Sequence, residues 1–182
     1  MIPAVQIVSA NQPFAELLCA KLHGWGMNAT TGDEQLHAAM AAARQGRLDV
    51  LLLDVRQEAG PLLHRLANTM NRLTGKPDII LINTQDGISA SMEGMRLGAA
   101  EELTTPIDAT ALHQAILEAA KRQRQAREKK RALLGMLEQT MAAATFAQAG
   151  EFDTAMEFIK DTPPDTQLPH DEVKPPNDLD TP

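Results

Sequence analysis

The feature that most constrains the fold is an alternation, between residues 3 and 121, of short apolar runs with longer segments of helical period. The runs at 5–8, 50–53 and 78–83 are mostly apolar on both faces, which is typical of strands that are covered on two sides. Weaker strands are predicted at 27–31 and 101–104. Strands that alternate with helices in this way predict an α/β fold built on a parallel sheet.

Glycine and proline mark the ends of the intervening helices. Gly24, Gly46 and Gly98 each follow a segment of helical period, and Pro106 precedes the last one. The predicted helices are 14–22, 34–44, 61–73, 89–97 and 109–121, and the last of them can continue as far as residue 141.

Polar side chains stand where three of the predicted strands end. Asp54 directly follows the apolar run 50–53, Ser9 follows the first run, and Asn83 closes the fourth. In parallel sheets, ligands and chemistry collect beyond the carboxyl ends of the central strands. The sequence therefore predicts a candidate site around Asp54, at the mouth of the sheet.

Two stretches of the sequence resemble the response-regulator receiver domains of two-component signalling. DVLLLDVR, at 49–56, is similar to the strand that ends in the family's phospho-accepting aspartate. PDIILINTQDGISASMEGMRLGAAEELTTPID, at 77–108, is similar to the family's fourth strand, fourth helix and fifth strand. The resemblance covers roughly residues 3–122. It implies a doubly wound, five-stranded parallel sheet of the flavodoxin type, with strand order 2-1-3-4-5.

The resemblance also implies a role for Asp54. Receiver domains take a phosphoryl group from a histidine kinase onto an aspartate carboxylate, with Mg²⁺ offsetting the charge of the transfer. Asp54 is the matching phosphoacceptor, and a histidine kinase is the implied partner. The chain is therefore expected to act in phosphorelay signal transduction.

The sequence departs from the family where the metal and the phosphoryl group would bind. Ser9 and Ala10 stand in place of the family's acidic pair, and Thr105 stands in place of its lysine. None of these three side chains can neutralise charge. We therefore expect weak Mg²⁺ binding, no other cofactor, and weakened or lost phosphorylation of Asp54.

The switch position and the loop after Asp54 differ as well. Asn83 matches the family's switch threonine or serine, and Thr84 could replace it only if the register shifts by one residue. The loop VRQEAG is shorter than in the family and lacks its Met-Pro pair. Two interpretations of Asp54 stay open: a weakly phosphorylated site, or a remnant carboxylate that caps a helix or accepts hydrogen bonds from loop amides.

A basic stretch divides the chain. Residues 121–131, KRQRQAREKKR, hold seven of the 17 lysines and arginines of a chain whose net charge is −7. A DNA- or membrane-associated regulator that binds through this stretch is the alternative function. Because no aromatic residue accompanies the charges, we favour a solvated helix face and expect no nucleic-acid partner.

The residues after the basic stretch predict helices that are too few to build a core of their own. Leu134, Leu137 and Met141 lie at the spacing of an apolar stripe, and a second short helix is expected at 152–159. This unit must pack on the receiver-like part, on another protein, or on a second copy as a homodimer. The predicted organisation is a receiver-like domain at 1–122, a helical extension at 123–160, and a disordered, acidic, proline-rich tail at 161–182.

The remaining residues favour a binding module over an enzyme. The five histidines lack the spacing of a metal site, and no Ser-His-Asp set stands out. Met92 and Met95 could line a partner surface, but we expect them in the core, where such residues are commoner. The single cysteine and the lack of an apolar run long enough to span a bilayer favour a cytoplasmic protein. We therefore predict a non-enzymatic regulatory module that acts through protein contacts.

Overall fold

The computed structural model describes residues 2–57, 66, 70 and 76–160 of the chain. The predicted helix at 61–73, apart from residues 66 and 70, and the predicted tail at 161–182 lie outside the described residues. In chain order the elements are β1 (Ala4–Val8), α1 (Gln12–Gly24), β2 (Asn28–Thr31), α2 (Asp33–Arg44), β3 (Val50–Asp54), β4 (Asp78–Asn83), α3 (Ile88–Arg96), β5 (Ala99–Thr104), α4 (Ala109–Gln148) and α5 (Phe152–Lys160).

The five strands form one parallel sheet in the order β2-β1-β3-β4-β5, which confirms the predicted topology. The register pairs Val8 with Leu53 and Asp54 with Ile82 across the three central strands. Their carboxyl ends therefore meet at one edge of the sheet, where the sequence predicts the site.

Alternation of side chains along the strands divides the core into two layers. Leu52 and Ile82 belong to a cluster with residues of α1 and α4, whereas Leu53 and Leu81 belong to a cluster on the opposite face of the sheet. Asp54 continues the first row and Asn83 continues the second, because each lies two residues beyond a member of that row. The two polar residues at the strand ends thus belong to opposite faces of the sheet.

The chain divides into two compact units, Met1–Lys130 and Arg131–Pro182. The first contains the sheet. In the second, the last part of α4 and α5 pack through buried Ala143 and Ala155, and the rings of Phe146 and Phe158 stack with their centroids 5.5 Å apart. No helix in the described part of the chain is both long and apolar enough to cross a membrane. The three-part domain division at 122 and 160 stays a prediction.

The basic stretch of α4 is not uniformly solvated. Arg127 Nη1 lies 2.9 Å from Oδ1 of the buried Asp49, and Arg122 Nε lies 2.8 Å from Asp78 Oδ2. Asp49 directly precedes β3 and Asp78 is the first residue of β4, so both carboxylates lie at the amino-terminal edge of the sheet. The interpretation of the basic stretch as a solvated helix face is therefore wrong for Arg122 and Arg127, whose ion pairs bind α4 to the sheet.

One glycine is required for the approach of α3 to the sheet. Gly94 is buried, and a Cβ atom there would overlap the buried side chain of Leu81 on β4. Gly135, on α4, has open space where a Cβ would stand. The two positions make a matched pair of helical glycines, one needed for packing and one not.

We predict that Gly94→Ala lowers the free energy of unfolding by about 1–3 kcal/mol, because the added methyl group overpacks the contact with Leu81. Gly135→Ala should instead raise it by roughly 0.5–1 kcal/mol, the usual gain from replacing an unconstrained helical glycine. Urea denaturation followed by circular dichroism measures both. Equal effects of the two substitutions would contradict the close approach of α3 to β4.

Candidate functional site

Asp54 lies at the carboxyl end of β3 and is only 4% exposed. Its Oδ1 accepts hydrogen bonds from the backbone N of Arg56 at 3.2 Å and from Arg56 Nε at 2.8 Å. Its Oδ2 accepts from Arg56 Nη2 at 2.8 Å and from Ser9 Oγ at 2.6 Å. Both carboxylate oxygens are thus engaged, in a bidentate ion pair with an arginine of the same chain.

The turn between β1 and α1 builds one wall of this site. Ser9 Oγ accepts a hydrogen bond from the backbone N of Asn11 at 3.0 Å, and the Asn11 side chain caps α1 by accepting from the backbone N of Phe14 at 3.0 Å. This cap sets the first turn of α1. The ring of Phe14 then lies 4.0 Å from Cζ of Arg56, in a cation–π contact that holds the guanidinium over Asp54.

The surroundings shift the pKa values of both partners. Burial raises the pKa of Asp54, but the hydrogen bonds from Arg56 and Ser9 and the positive charge of Arg56 outweigh it, so that the pKa lies below its usual range. The hydrogen bonds to Asp54 raise the pKa of Arg56. Both side chains are therefore charged at neutral pH, and the pair has no net charge.

Asn83, at the end of β4, is 1% exposed and makes its contacts away from Asp54. Its Nδ2 lies 2.8 Å from Gly87 O, 2.9 Å from Ser91 Oγ and 2.9 Å from Glu102 Oε1. Ser91 Oγ in turn donates to Glu102 Oε1 at 2.6 Å. This network joins β4, β5 and the first turn of α3 through half-buried hydrogen bonds.

The other predicted pocket residues are Thr84, Thr105 and Ala10, and the first two are hydrogen-bonded to Asn83. Thr105 donates from its backbone N and from Oγ1 to the backbone O of Asn83, at 2.8 and 3.2 Å. Thr84 is exposed, and its backbone N donates to Asn83 Oδ1 at 2.8 Å. Ala10 is exposed and presents only a methyl group. Of the five positions predicted around Asp54, the structure brings the side chain of Ser9 into hydrogen-bonding contact with its carboxylate.

The residues around Asp54 do not fit a magnesium ion. Mg²⁺ needs an octahedron of oxygen ligands, usually with carboxylates among them. The part of the chain that the structure describes contains no group of three or more His, Cys, Asp or Glu side chains that could hold a metal. At Asp54, moreover, a guanidinium already binds both carboxylate oxygens and supplies the positive charge there.

Three residues of these networks were not anticipated from the sequence: Arg56, Ser91 and Glu102. A signal for Arg56 was present, because a residue two positions beyond a strand-end aspartate lies on the same side of the chain and can reach back to it. Ser91 and Glu102 carry no local signal, since they meet Asn83 only through the packing of α3 and β5.

Two methionines lie on the surface, contrary to the prediction that they belong to the core. Met92 and Met95 are 55% and 65% exposed, and Ile88 on the same helix is 68% exposed. The spacing of i, i+4 and i+7 places the three on one face of α3. The side of α3 that faces the sheet is the side of Gly94, which packs closely against Leu81 because it has no Cβ. The methionines therefore face away from the sheet, which explains why the prediction was wrong.

We predict that the pKa of Asp54, measured by carboxyl ¹³C NMR titration, lies below the ordinary value and that Arg56→Met raises it. Because the folded-state pKa is below the unfolded value of about 3.9, the pair stabilises the fold above that pH. The stabilisation is lost as the pH falls through the folded-state pKa. Arg96→Met, at an exposed arginine of α3, is the control and should leave the titration unchanged. An unchanged titration in Arg56→Met would contradict the ion pair.

No family model matches this sequence, and no curated protein matches it significantly. Solved structures do resemble it. A response regulator receiver protein from Burkholderia phymatum is 20% identical, with 65% of this chain and 95% of that chain covered and a TM-score of 0.53. The signal receiver domain of an HD domain-containing protein from Pseudomonas fluorescens is 19% identical, with 70% and 93% covered and a TM-score of 0.57.

A CheY-like response regulator receiver domain protein from Methanospirillum hungatei is 15% identical, with 69% of this chain and 99% of that chain covered and a TM-score of 0.56. In each case nearly the whole receiver structure is matched by about two thirds of this chain. Together with the strand order β2-β1-β3-β4-β5, these likenesses show that the chain has the fold of response-regulator receiver domains.

Proposed function

We propose that this chain is a receiver-like signalling module in which Arg56 is paired with Asp54 in place of a metal ion. In this proposal Mg²⁺-dependent phosphorylation of Asp54 is weakened or lost, and the module acts through protein contacts. The observation that carries the proposal is the bidentate pairing of Arg56 with a buried strand-end aspartate on a receiver fold.

The pairing opposes phosphoryl transfer in two ways. An aspartate nucleophile needs a free oxygen to attack phosphorus, whereas both oxygens of Asp54 accept two hydrogen bonds each. The developing charge of the transfer must also be balanced, usually by a metal and a cationic side chain. The only cation bonded to Asp54 in the described part of the chain is Arg56, which an incoming phosphoryl group would have to displace.

The hydrogen-bond network around Asn83 supports a contact surface that keeps one conformation. In receiver domains phosphorylation moves a switch hydroxyl and remodels the neighbouring face, as the resemblance implies. The switch position here is the amide of Asn83, which is bonded to Gly87, Ser91 and Glu102. This network supports α3 in one position. The exposed side chains of Ile88, Met92 and Met95 then offer a constant apolar surface for a protein partner.

The ion pairs of α4 favour protein contacts over the alternative of DNA or membrane binding. Arg122 and Arg127 are used within the fold, paired with Asp78 and Asp49. A non-enzymatic, cytoplasmic role and a histidine kinase as partner are parts of the same proposal. The kinase would in that case recognise the module without transferring a phosphoryl group efficiently.

We predict that the purified chain gains no phosphoryl group when incubated with a small acyl phosphate and Mg²⁺, as measured by intact mass. A variant that combines Ser9→Asp, Ala10→Asp and Arg56→Ala should gain one, because it returns two carboxylates to the pocket and removes the competing guanidinium. The same variant with Asp54→Ala is the control and should gain none. A phosphoryl group on the natural chain that disappears in Asp54→Ala would overturn the proposal.

We also predict that the chain does not bind duplex DNA or anionic lipid vesicles at physiological salt. The matched comparison is a variant in which exposed Lys129 and Lys130 are both changed to Gln. Binding that falls steeply with salt and weakens in this variant would favour the alternative regulator. Fluorescence anisotropy and vesicle co-sedimentation provide the measurements.

A further inference from the structure

The helical unit after residue 130 exposes many of its large apolar side chains. Seven large apolar side chains in it are between 36% and 67% exposed: Leu133, Leu134, Leu137, Met141, Phe152, Met156 and Phe158. Exposed large apolar side chains in this number indicate a surface that a partner can cover.

The two helices of this unit leave an open groove. The stacked rings of Phe146 and Phe158 make one contact between α4 and α5. A groove of about 340 Å³ is lined by Ala143 and Ala147 of α4 and by Phe152 and Met156 of α5. Small residues on one wall and large ones on the other allow a further helix to approach closely.

On α4, Leu133 forms an exposed apolar stripe with two residues of the predicted stripe, Leu137 and Met141. These positions follow the spacing i, i+4 and i+8, so they form a seam about two turns long. A second copy of α4 offers the same seam. Two copies of α4 packed along this seam bury the stripe of each copy against that of the other.

The charges beside the stripe favour an antiparallel arrangement. Lys129, Lys130 and Arg131, with one acidic residue, Glu128, precede it on α4, whereas Glu151, Asp153 and Glu157, with one basic residue, Lys160, follow it. An antiparallel pair places the basic end of one copy beside the acidic end of the other, while a parallel pair places like charges together. A two-fold axis near Leu137 satisfies this complementarity twice, as an isologous interface requires.

The tail of the same chain is a poor alternative occupant. Its 22 residues, 161–182, contain only Leu168, Val173 and Leu179 as large apolar side chains, separated by prolines and acidic residues. Such a segment cannot supply a continuous apolar stripe to match the groove.

We propose that the helical unit is the dimerisation site of this protein and that its occupant is a second copy, packed antiparallel about a two-fold axis near Leu137. This inference rests on the proposed function, since it names one partner of an interaction module. Its tests do not involve Asp54 or Arg56. Failure of the dimer would therefore leave the phosphorylation results to decide the proposed function separately.

The first experiment measures the mass of the full chain in solution by sedimentation equilibrium over a range of concentrations. We expect a dimer, and we expect Leu137→Glu to weaken dimerisation by at least about tenfold, or 1.4 kcal/mol. Leu117→Glu is the matched control, because Leu117 is a 43% exposed leucine on the same helix but outside the stripe. Circular dichroism of each variant verifies that it is folded.

Several outcomes would overturn the proposal. A monomer at every concentration, a dimer that Leu137→Glu leaves intact, or a dimer that Leu117→Glu weakens equally would each do so. If Leu137→Glu fails to fold, Met141→Gln provides a milder change on the same stripe and is expected to weaken the dimer as well.

The second experiment tests the orientation in a Cys19→Ser background, which removes the native cysteine. Antiparallel packing predicts that Leu133→Cys and Met141→Cys chains form a disulfide with each other when mixed, and that neither forms one efficiently with itself. Leu137→Cys, near the axis, should crosslink with itself. Efficient self-crosslinking of Leu133→Cys would instead show a parallel pair and overturn the proposed arrangement.

Discussion

The ion pair of Asp54 and Arg56 is the interaction on which the properties of the site depend. Asp54 stands where a fully buried strand leaves the core, so its charge must be matched by donors close at hand. Arg56 supplies three of them and Ser9 a fourth. The cap of α1 and the ring of Phe14 hold this arrangement in place. The buried carboxylate is thus satisfied by donors of the same chain.

The fold separates this pair from the network around Asn83. Because side chains alternate along strands, the last residues of β3 and β4 belong to opposite faces of the sheet. Asp54 therefore contacts the turn before α1, and Asn83 contacts α3 and Glu102. The two groups share only the carboxyl edge of the sheet.

The sequence allowed the fold to be predicted more fully than the site. Apolar runs such as 50–53 and 78–82 identify buried strands by pattern alone, and glycine marks the ends of helices. The strand order was predicted from the resemblance to receiver domains, and the structure confirms it. The substitutions at Ser9, Ala10 and Thr105 were visible because they occupy known positions of a motif. Arg56 lies two residues beyond Asp54, which is a signal that it can reach back, but only the packed loop decides that its side chain does so. Met92 and Met95 were misplaced for a similar reason: periodicity identifies an apolar face, but only packing decides whether Gly94 or the methionines face the sheet.

Arg56 belongs to the same chain as Asp54, two residues away, and this affects how the site responds to the ions in solution. An ion bound from solution leaves its site when its concentration falls, so a metal-dependent pocket follows the ionic composition of the cell. A guanidinium on the same chain cannot be diluted away or removed by a chelator. The protonation and pairing of this site should therefore be the same at any free magnesium level.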